Sequence, residues 1–291
     1  MAISGVITAM ATPFDDGGAL DVDAARRLAR HLAEHGSHGL VLAGTTGESP
    51  TLHDDEKLAL LRAVKDEVGG ELTLICGTGS NDTRHSVELT RAAAAAGADA
   101  VLVVTPYYNK PNRAGLRAHF EAVAAAAGDV PVVLYNIPSR CVINLPPDLL
   151  AELATIDNVV AVKQANNDEL QPIDGLDILA GNDEIFLRTL EIGGAGGILV
   201  SSHLVGLEMR DVYDAATGGD LARAREINAG LHGIYEAMTV TANPIPVKTG
   251  LELLGVIDAR LRLPMVSADD EQRAAVRAAL ERQGLLATSA G

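Results

Sequence analysis

The chain has 291 residues, of which 47% are hydrophobic and 21% are charged, a composition typical of globular proteins that argues against a disordered chain or a coiled coil. Its formal net charge of −16 argues against a nucleic-acid partner, whose phosphates attract basic surfaces. No apolar run is long enough to span a bilayer, and no basic segment precedes the first apolar residues, so we expect a cytoplasmic protein without a membrane partner.

Short β-branched runs alternate along the chain with longer Ala- and Leu-rich stretches of helical period, which is typical of βα units on a parallel sheet. The β-branched runs predict eight strands, at Val6–Met10, Gly39–Leu42, Thr73–Cys76, Ala100–Val104, Val132–Tyr135, Val159–Val162, Asp177–Leu179 and Gly197–Val200. The stretches between them predict helices at Val22–His35, Asp54–Val68, Thr83–Ala96, Ala114–Ala127, Pro147–Thr155 and Asp183–Ile192. Together they predict an α/β fold, a (β/α)₈ TIM barrel.

After Val200 the pattern is helical only, over about residues 207–286, with a break at Asn243–Pro246. We therefore divide the chain into a barrel with the active site, residues 1–206, and a C-terminal helical extension packed on the barrel, residues 207–291. The alternative fold is a doubly wound open sheet. Such a sheet usually carries a glycine-rich dinucleotide turn after its first strand, and this sequence has none there.

In a barrel of this kind the reactive groups lie at the carboxyl ends of the strands and in the loops that follow them. Lysine is scarce in this chain, and Lys163 is the one that closes an apolar predicted strand. Partial burial there disfavours the ammonium form and lowers the pKa, as a Schiff-base nucleophile requires. The alternative is a structural lysine paired with a carboxylate such as Glu48 or Asp183.

Hydroxyl side chains also gather at the predicted strand ends. Tyr135, with Tyr107 or Tyr108, could relay protons during imine formation, since a phenol both donates and accepts a proton. The alternative role for the adjacent tyrosines is aromatic packing. Thr45 and Thr46 could hold a small carboxylate, or could form only a tight turn.

Arg140 and the two cysteines complete the set of candidate reactive side chains. Arg140 follows a Pro-Ser turn after the fifth predicted strand and could hold a carboxylate bidentately, or could be an ordinary surface arginine. Cys76 and Cys141 are too few for a disulfide scaffold and lack neighbours at zinc-ligand spacing, so we predict buried free thiols and no metal site.

These segments resemble the family of pyruvate-dependent class I aldolases and synthases that includes dihydrodipicolinate synthase and N-acetylneuraminate lyase. Gly44–Glu48 is similar to the family's pyruvate-carboxylate loop, Tyr107–Pro111 and Tyr135–Pro138 are similar to its tyrosine segments, and Lys163 falls on its Schiff-base lysine. The similarity covers nearly the whole chain. It implies a lyase that works through a covalent pyruvate imine without metal or organic cofactor, and a homotetramer built as a dimer of dimers.

The resemblance also implies individual roles. Lys163 would form the imine, Tyr135 would act as general acid and base, and Thr46 would link Tyr135 to Tyr108 of the partner subunit. The implied substrate contacts are those of Thr45 and Thr46 with the pyruvate carboxylate, of Arg140 with the carboxylate of the second substrate, and of Gly181 and Ile198 with the pyruvate pocket.

The paired threonines, Arg140, and the segments Asn243–Lys248 and Leu261–Met265 favour the synthase branch of this family. This implies condensation of pyruvate with L-aspartate 4-semialdehyde to 4-hydroxy-tetrahydrodipicolinate in diaminopimelate and lysine biosynthesis. Two alternatives stay open: a lyase that uses another aldehyde, such as N-acetylneuraminate or a 2-keto-3-deoxy sugar acid, and a non-catalytic pyruvate sensor. Departures from the family pattern border the second-substrate site, at Cys141, Asn166, Asn167 and His203.

In feedback-inhibited members of the family, lysine binds near the positions of Ser49, Asn81 and Tyr107. Those members have a histidine and a glutamate where this chain has Lys57 and His85. A cation in place of the glutamate cannot pair with the ammonium group of the ligand. The resemblance therefore implies weak inhibition by lysine.

Overall fold

The computed structural model describes residues 3–287. Within this part of the chain, eight parallel strands pair in sequence order, and the first also pairs with the eighth, which closes the barrel. The (β/α)₈ prediction is confirmed. The strands are β1 (Gly5–Ala9), β2 (Gly39–Leu42), β3 (Thr73–Gly77), β4 (Ala100–Val104), β5 (Val132–Asn136), β6 (Val159–Gln164), β7 (Asp177–Ala180) and β8 (Gly196–Leu199).

Helices follow the strands and pack around the barrel. They are α1 (Val22–Glu34), α2 (Asp54–Val68), α3 (Thr83–Ala95), α4 (Arg113–Ala127), α5 (Pro138–Cys141), α6 (Pro147–Leu153), α7 (Phe186–Glu191), α8 (Ser202–Thr217), α9 (Leu221–Ala237), α10 (Ile245–Leu253) and α11 (Asp270–Arg282). No helix within residues 3–287 is long and apolar enough to cross a membrane.

The helix predicted at Asp183–Ile192 is divided in the structure. Asp183–Ile185 forms a 3₁₀ turn, and α7 begins only at Phe186. The reason is that the Asp183 carboxylate accepts hydrogen bonds from the backbone N–H groups of Val200 and Ser201, which ties this turn to the end of β8. The predicted division at residues 206 and 207 falls inside α8, which spans both parts.

The strands are apolar along nearly their whole length because both of their faces are buried, one in the barrel interior and one under the helices. Side chains alternate between these faces. Val133 and Ala161 belong to the interior cluster, so Tyr135 and Lys163, each two residues further along, lie on the same inner face at the carboxyl end of the barrel. Both cysteines are buried and free, as predicted.

Candidate active site

Lys163 and Tyr135 lie side by side at the carboxyl ends of β6 and β5. The strand register pairs the two residues directly, and Lys163 Nζ lies 4.3 Å from the centre of the Tyr135 ring. Only 5% of Lys163 and 4% of Tyr135 is exposed. The structure therefore brings together the two residues to which the sequence assigned the central chemistry.

The environment of Lys163 increases the fraction of the neutral amine. Burial lowers the pKa of Lys163 to about 8, the Arg140 guanidinium acts in the same direction, and the Asp183 carboxylate opposes it. With this pKa, about a tenth of the molecules carry an unprotonated Lys163 at pH 7, against well under a thousandth for an ordinary lysine. The side chain is thus prepared for nucleophilic attack.

Lys163 forms an ion pair with neither of the two carboxylates named as its structural partners. Glu48 is paired with Lys248 instead, with 2.5 Å between Oε1 and Nζ. Asp183 uses both of its oxygens to accept hydrogen bonds from Val200 and Ser201, including one of 2.6 Å from the Ser201 hydroxyl. Asp183 therefore acts on Lys163 through its charge.

Tyr135 is protonated at neutral pH and interacts with the Thr45 side chain. Burial raises the pKa of Tyr135 to about 12, and the hydrogen bond with the Thr45 side chain opposes this rise. Thr46 Oγ1 instead accepts a hydrogen bond of 3.0 Å from Asn243 Nδ2. The link from Thr46 to Tyr135 that the family resemblance implies stays a prediction.

Two cavities meet at this site. The smaller, of about 220 Å³, contains Lys163 and Thr46, and the larger, of about 380 Å³, contains Tyr107 and Lys57. Both are lined by Thr45, Tyr135, Ile137 and Arg140.

The remaining predicted site residues are divided between cavity walls, interior and surface. Gly181 lines the smaller cavity. Ile198 is fully buried in the apolar cluster inside the barrel and does not line either cavity, so its place in the pyruvate pocket stays a prediction. Tyr108 is 85% exposed, with a backbone φ of 72° that is rare for a bulky residue.

Two of the departures from the family pattern have defined contacts. Asn167 Nδ2 donates to Glu184, and its Oδ1 accepts from Asn182, so Asn167 holds two residues of the smaller cavity wall. His203 accepts from the Ala11 backbone N–H and donates to the Val200 carbonyl, and burial lowers its pKa to about 4. The buried imidazole is therefore neutral and structural.

Sequence reasoning assigned no role to Asn243 or Tyr235, although both line the smaller cavity. Asn243 lies 197 positions from its partner Thr46, and no local pattern signals such a contact. Among residues 3–287, no cluster of three or more His, Cys, Asp or Glu side chains could hold a metal ion.

The fold and the site define a (β/α)₈-barrel protein with a buried lysine and tyrosine in its central cavity. The model of the dihydrodipicolinate synthetase family matches residues 2–283, and the chain belongs to this family. The predicted resemblance is confirmed.

Relatives of known name match over almost their whole length. The 4-hydroxy-tetrahydrodipicolinate synthase of Moorella thermoacetica is 45% identical over 289 residues, which cover 97% of this chain and 98% of that protein. The crystal structure of dihydrodipicolinate synthase from Thermotoga maritima superposes with a TM-score of 0.94 at 36% identity, covering 98% of this chain and 99% of that one. The enzyme from Cyanidioschyzon merolae, solved with lysine bound, gives a TM-score of 0.93 at 39% identity, with coverage of 97% and 99%.

Proposed function

We propose that this chain is a Schiff-base-dependent synthase that condenses pyruvate with L-aspartate 4-semialdehyde to 4-hydroxy-tetrahydrodipicolinate, a step of diaminopimelate and lysine biosynthesis. The observation that carries the proposal is the buried Lys163, with its lowered pKa, beside Tyr135 in a cavity that also contains Arg140. The names of the full-length relatives support the choice of substrates.

In the first half of the reaction, the neutral Lys163 Nζ attacks the keto carbon of pyruvate and forms a carbinolamine. Tyr135, whose pKa of about 12 keeps it protonated, donates a proton to the carbinolamine oxygen, which leaves as water. The iminium that remains withdraws electrons and acidifies the pyruvate methyl group. The protein itself therefore supplies the electron sink, and the proposal includes no metal or organic cofactor.

In the second half, the Tyr135 phenolate takes up a methyl proton, and the carbon of the resulting enamine attacks the aldehyde of the semialdehyde. The new carbon–carbon bond leaves an alkoxide, which takes up the proton from Tyr135. The amino group of the semialdehyde then displaces Lys163 from the imine carbon, which closes the ring and frees the enzyme. Thr45 and Thr46 would bind the pyruvate carboxylate, and Arg140, at the exposed edge of both cavities, would bind the carboxylate of the semialdehyde.

The proposal includes a cytoplasmic homotetramer built as a dimer of dimers. The exposed Tyr108, in a strained backbone conformation, supports the idea that this side chain serves the site of the partner subunit. Tyr108 would then connect Thr46 and Tyr135 to solvent as a proton relay.

The test is pyruvate consumption with and without L-aspartate 4-semialdehyde, in the native protein and in Lys163→Ala. We expect consumption that requires the semialdehyde and is lost in Lys163→Ala. Lys65→Ala is the matched control, since Lys65 is exposed and donates to the Gly97 carbonyl away from the cavities. Consumption driven by a sugar-derived aldehyde instead would assign the chain to the lyase branch, and pyruvate binding without consumption would indicate a sensor.

A further inference from the structure

Thr46 is attached to the C-terminal part of the chain. Asn243 Nδ2 donates to Thr46 Oγ1 at 3.0 Å, and both residues line the cavity that contains Lys163. Thr46 is only 2% exposed, and the hydrogen bond is partly buried. Within the described part of the chain, the buried Asn243 Oδ1 has no hydrogen-bond partner, and the bond to Thr46 holds the amide in place.

A second contact joins the same two segments. Lys248 lies on α10, which begins two residues after Asn243, and Glu48 lies two residues after Thr46. Lys248 Nζ is 2.5 Å from Glu48 Oε1, and no more than 2% of either side chain is exposed. Two contacts at neighbouring positions fix both the distance and the rotation of the threonine turn relative to α10.

Both side chains of the buried ion pair form further hydrogen bonds. Lys248 also donates to the Arg260 carbonyl, and Glu48 Oε2 accepts from the Arg262 backbone N–H. Buried charges persist when they are paired and hydrogen-bonded in this way. A shift of the turn would break its contacts with three parts of the C-terminal segment, at Asn243, Lys248 and Arg262.

We propose, on the basis of the function proposed above, that Asn243 is a positioning residue for pyruvate. It acts through Thr46 and holds the Thr45–Thr46 turn where the pyruvate carboxylate binds. The Lys248–Glu48 pair keeps the start of α10 and this turn in register, so that the Asn243 amide meets the Thr46 hydroxyl. The C-terminal segment thereby sets the geometry of a site whose reacting groups lie on the barrel strands.

The alternative is that Asn243 acts on the bound substrate directly, through its free Oδ1. A double-mutant cycle separates the two roles, because residues that act through one contact give non-additive effects. The four proteins are the native chain, Asn243→Ala, Thr46→Val and the double variant. The readout is the pyruvate concentration that gives half-maximal borohydride-trapped adduct, which needs no second substrate.

We expect each single variant to raise the half-saturating pyruvate concentration roughly tenfold, the factor that corresponds to about 1.4 kcal/mol. The double variant should also show roughly a tenfold rise, because the same contact is already lost. In Asn243→Ala, the amount of adduct at saturating pyruvate should stay unchanged, since Lys163, Tyr135 and Thr46 are intact.

Asn158→Ala is the matched control for loss of a structural asparagine. Asn158 directly precedes β6, and its Nδ2 donates to the carbonyls of Ala124, Gly128 and Val130. It should lower the unfolding temperature and leave the half-saturating pyruvate concentration unchanged. If Asn243→Ala does not fold, Asn243→Ser takes its place in the cycle.

If the effects of the two substitutions multiply, the double variant should raise the half-saturating pyruvate concentration roughly a hundredfold. This result would overturn the inference and leave the proposed function intact. An unchanged half-saturating pyruvate concentration in Asn243→Ala would also overturn the inference. A native protein that forms no adduct with pyruvate would instead remove the proposed function, and the inference with it.

Discussion

At the scale of single residues, the reactivity proposed for Lys163 comes from its place at the end of β6. The strand alternation turns it into the barrel, and the apolar surroundings penalise its charged form. The sequence was sufficient to predict this, because an isolated lysine at the end of an apolar run is a local pattern. The contacts of Asp183 and Asn243 depend on distant segments, so they could not be predicted in the same way.

The lowered pKa of Lys163 predicts a particular pH dependence. The neutral amine is the nucleophile, so the rate of adduct formation with pyruvate should rise with pH and level off above a midpoint near 8. Borohydride trapping at a series of pH values measures this rate. Arg140→Met should raise the midpoint, because the guanidinium lowers the pKa of Lys163. A midpoint near the value of an ordinary lysine would contradict this account of the site.

Weak inhibition by lysine remains a prediction, and the larger cavity supports it. Lys57 is 6% exposed and its Nζ lies 3.4 Å from Asp54 Oδ1, while His85 Nε2 lies 2.8 Å from the other oxygen of the same carboxylate. The cavity wall thus carries a lysine and a histidine at the two positions where the family resemblance places a histidine and a glutamate. Initial rates measured with added L-lysine should stay nearly constant up to about 1 mM, a concentration range typical of weak ligands.

The matched variant for this prediction combines Lys57→His with His85→Glu, which restores the family's acidic acceptor in the cavity wall. This variant should become more sensitive to lysine than the native chain. Sub-millimolar inhibition of the native protein would contradict the prediction.

At the scale of elements, the β-branched runs and helical periods were enough to place all eight barrel strands within the described residues, with ends shifted by no more than two residues. The sequence did not predict the 3₁₀ turn before α7. That turn exists because Asp183 bonds to the loop after β8, a tertiary contact that overrides local helical preference. It also did not predict how α10 is joined to the turn after β2.

The buried pair of Lys248 and Glu48 predicts a large stability effect from a single substitution. Lys248→Met should lower the free energy of unfolding by about 3–5 kcal/mol, because it leaves a buried carboxylate without its counter-ion. Denaturant titration measures this change. Adding Glu48→Gln should recover part of the loss, since the amide oxygen can still accept from the Arg262 N–H. Equal stability of the native chain and Lys248→Met would show that the pair is not what joins α10 to the turn.

At the scale of the whole molecule, the barrel and the C-terminal helices form one active unit, since α10 holds the turn that follows β2. The proposed assembly adds a further requirement, because Tyr108 would complete the site of a partner subunit. The sequence could predict this contribution of a partner subunit only through family resemblance, because a single sequence does not show directly how its copies assemble.

Subunit mixing tests that requirement. Tyr108→Phe and Tyr135→Phe should each lose most activity alone. Refolded together, they should recover about a quarter of native activity, because half of the dimers are mixed and each mixed dimer holds one intact site. Activity that does not exceed the sum of the separate variants would place Tyr108 outside the partner's site. Mixing each variant with itself provides the control for refolding yield.

The most direct test of the central claim is to locate the pyruvate adduct after borohydride reduction, by peptide mass analysis of the native chain. We predict a single modified lysine, Lys163, and no adduct on Lys248, which is fully buried and paired with Glu48. Label at Lys163 that disappears in Lys163→Ala would establish the imine. An adduct on another lysine, or none at all, would contradict the account.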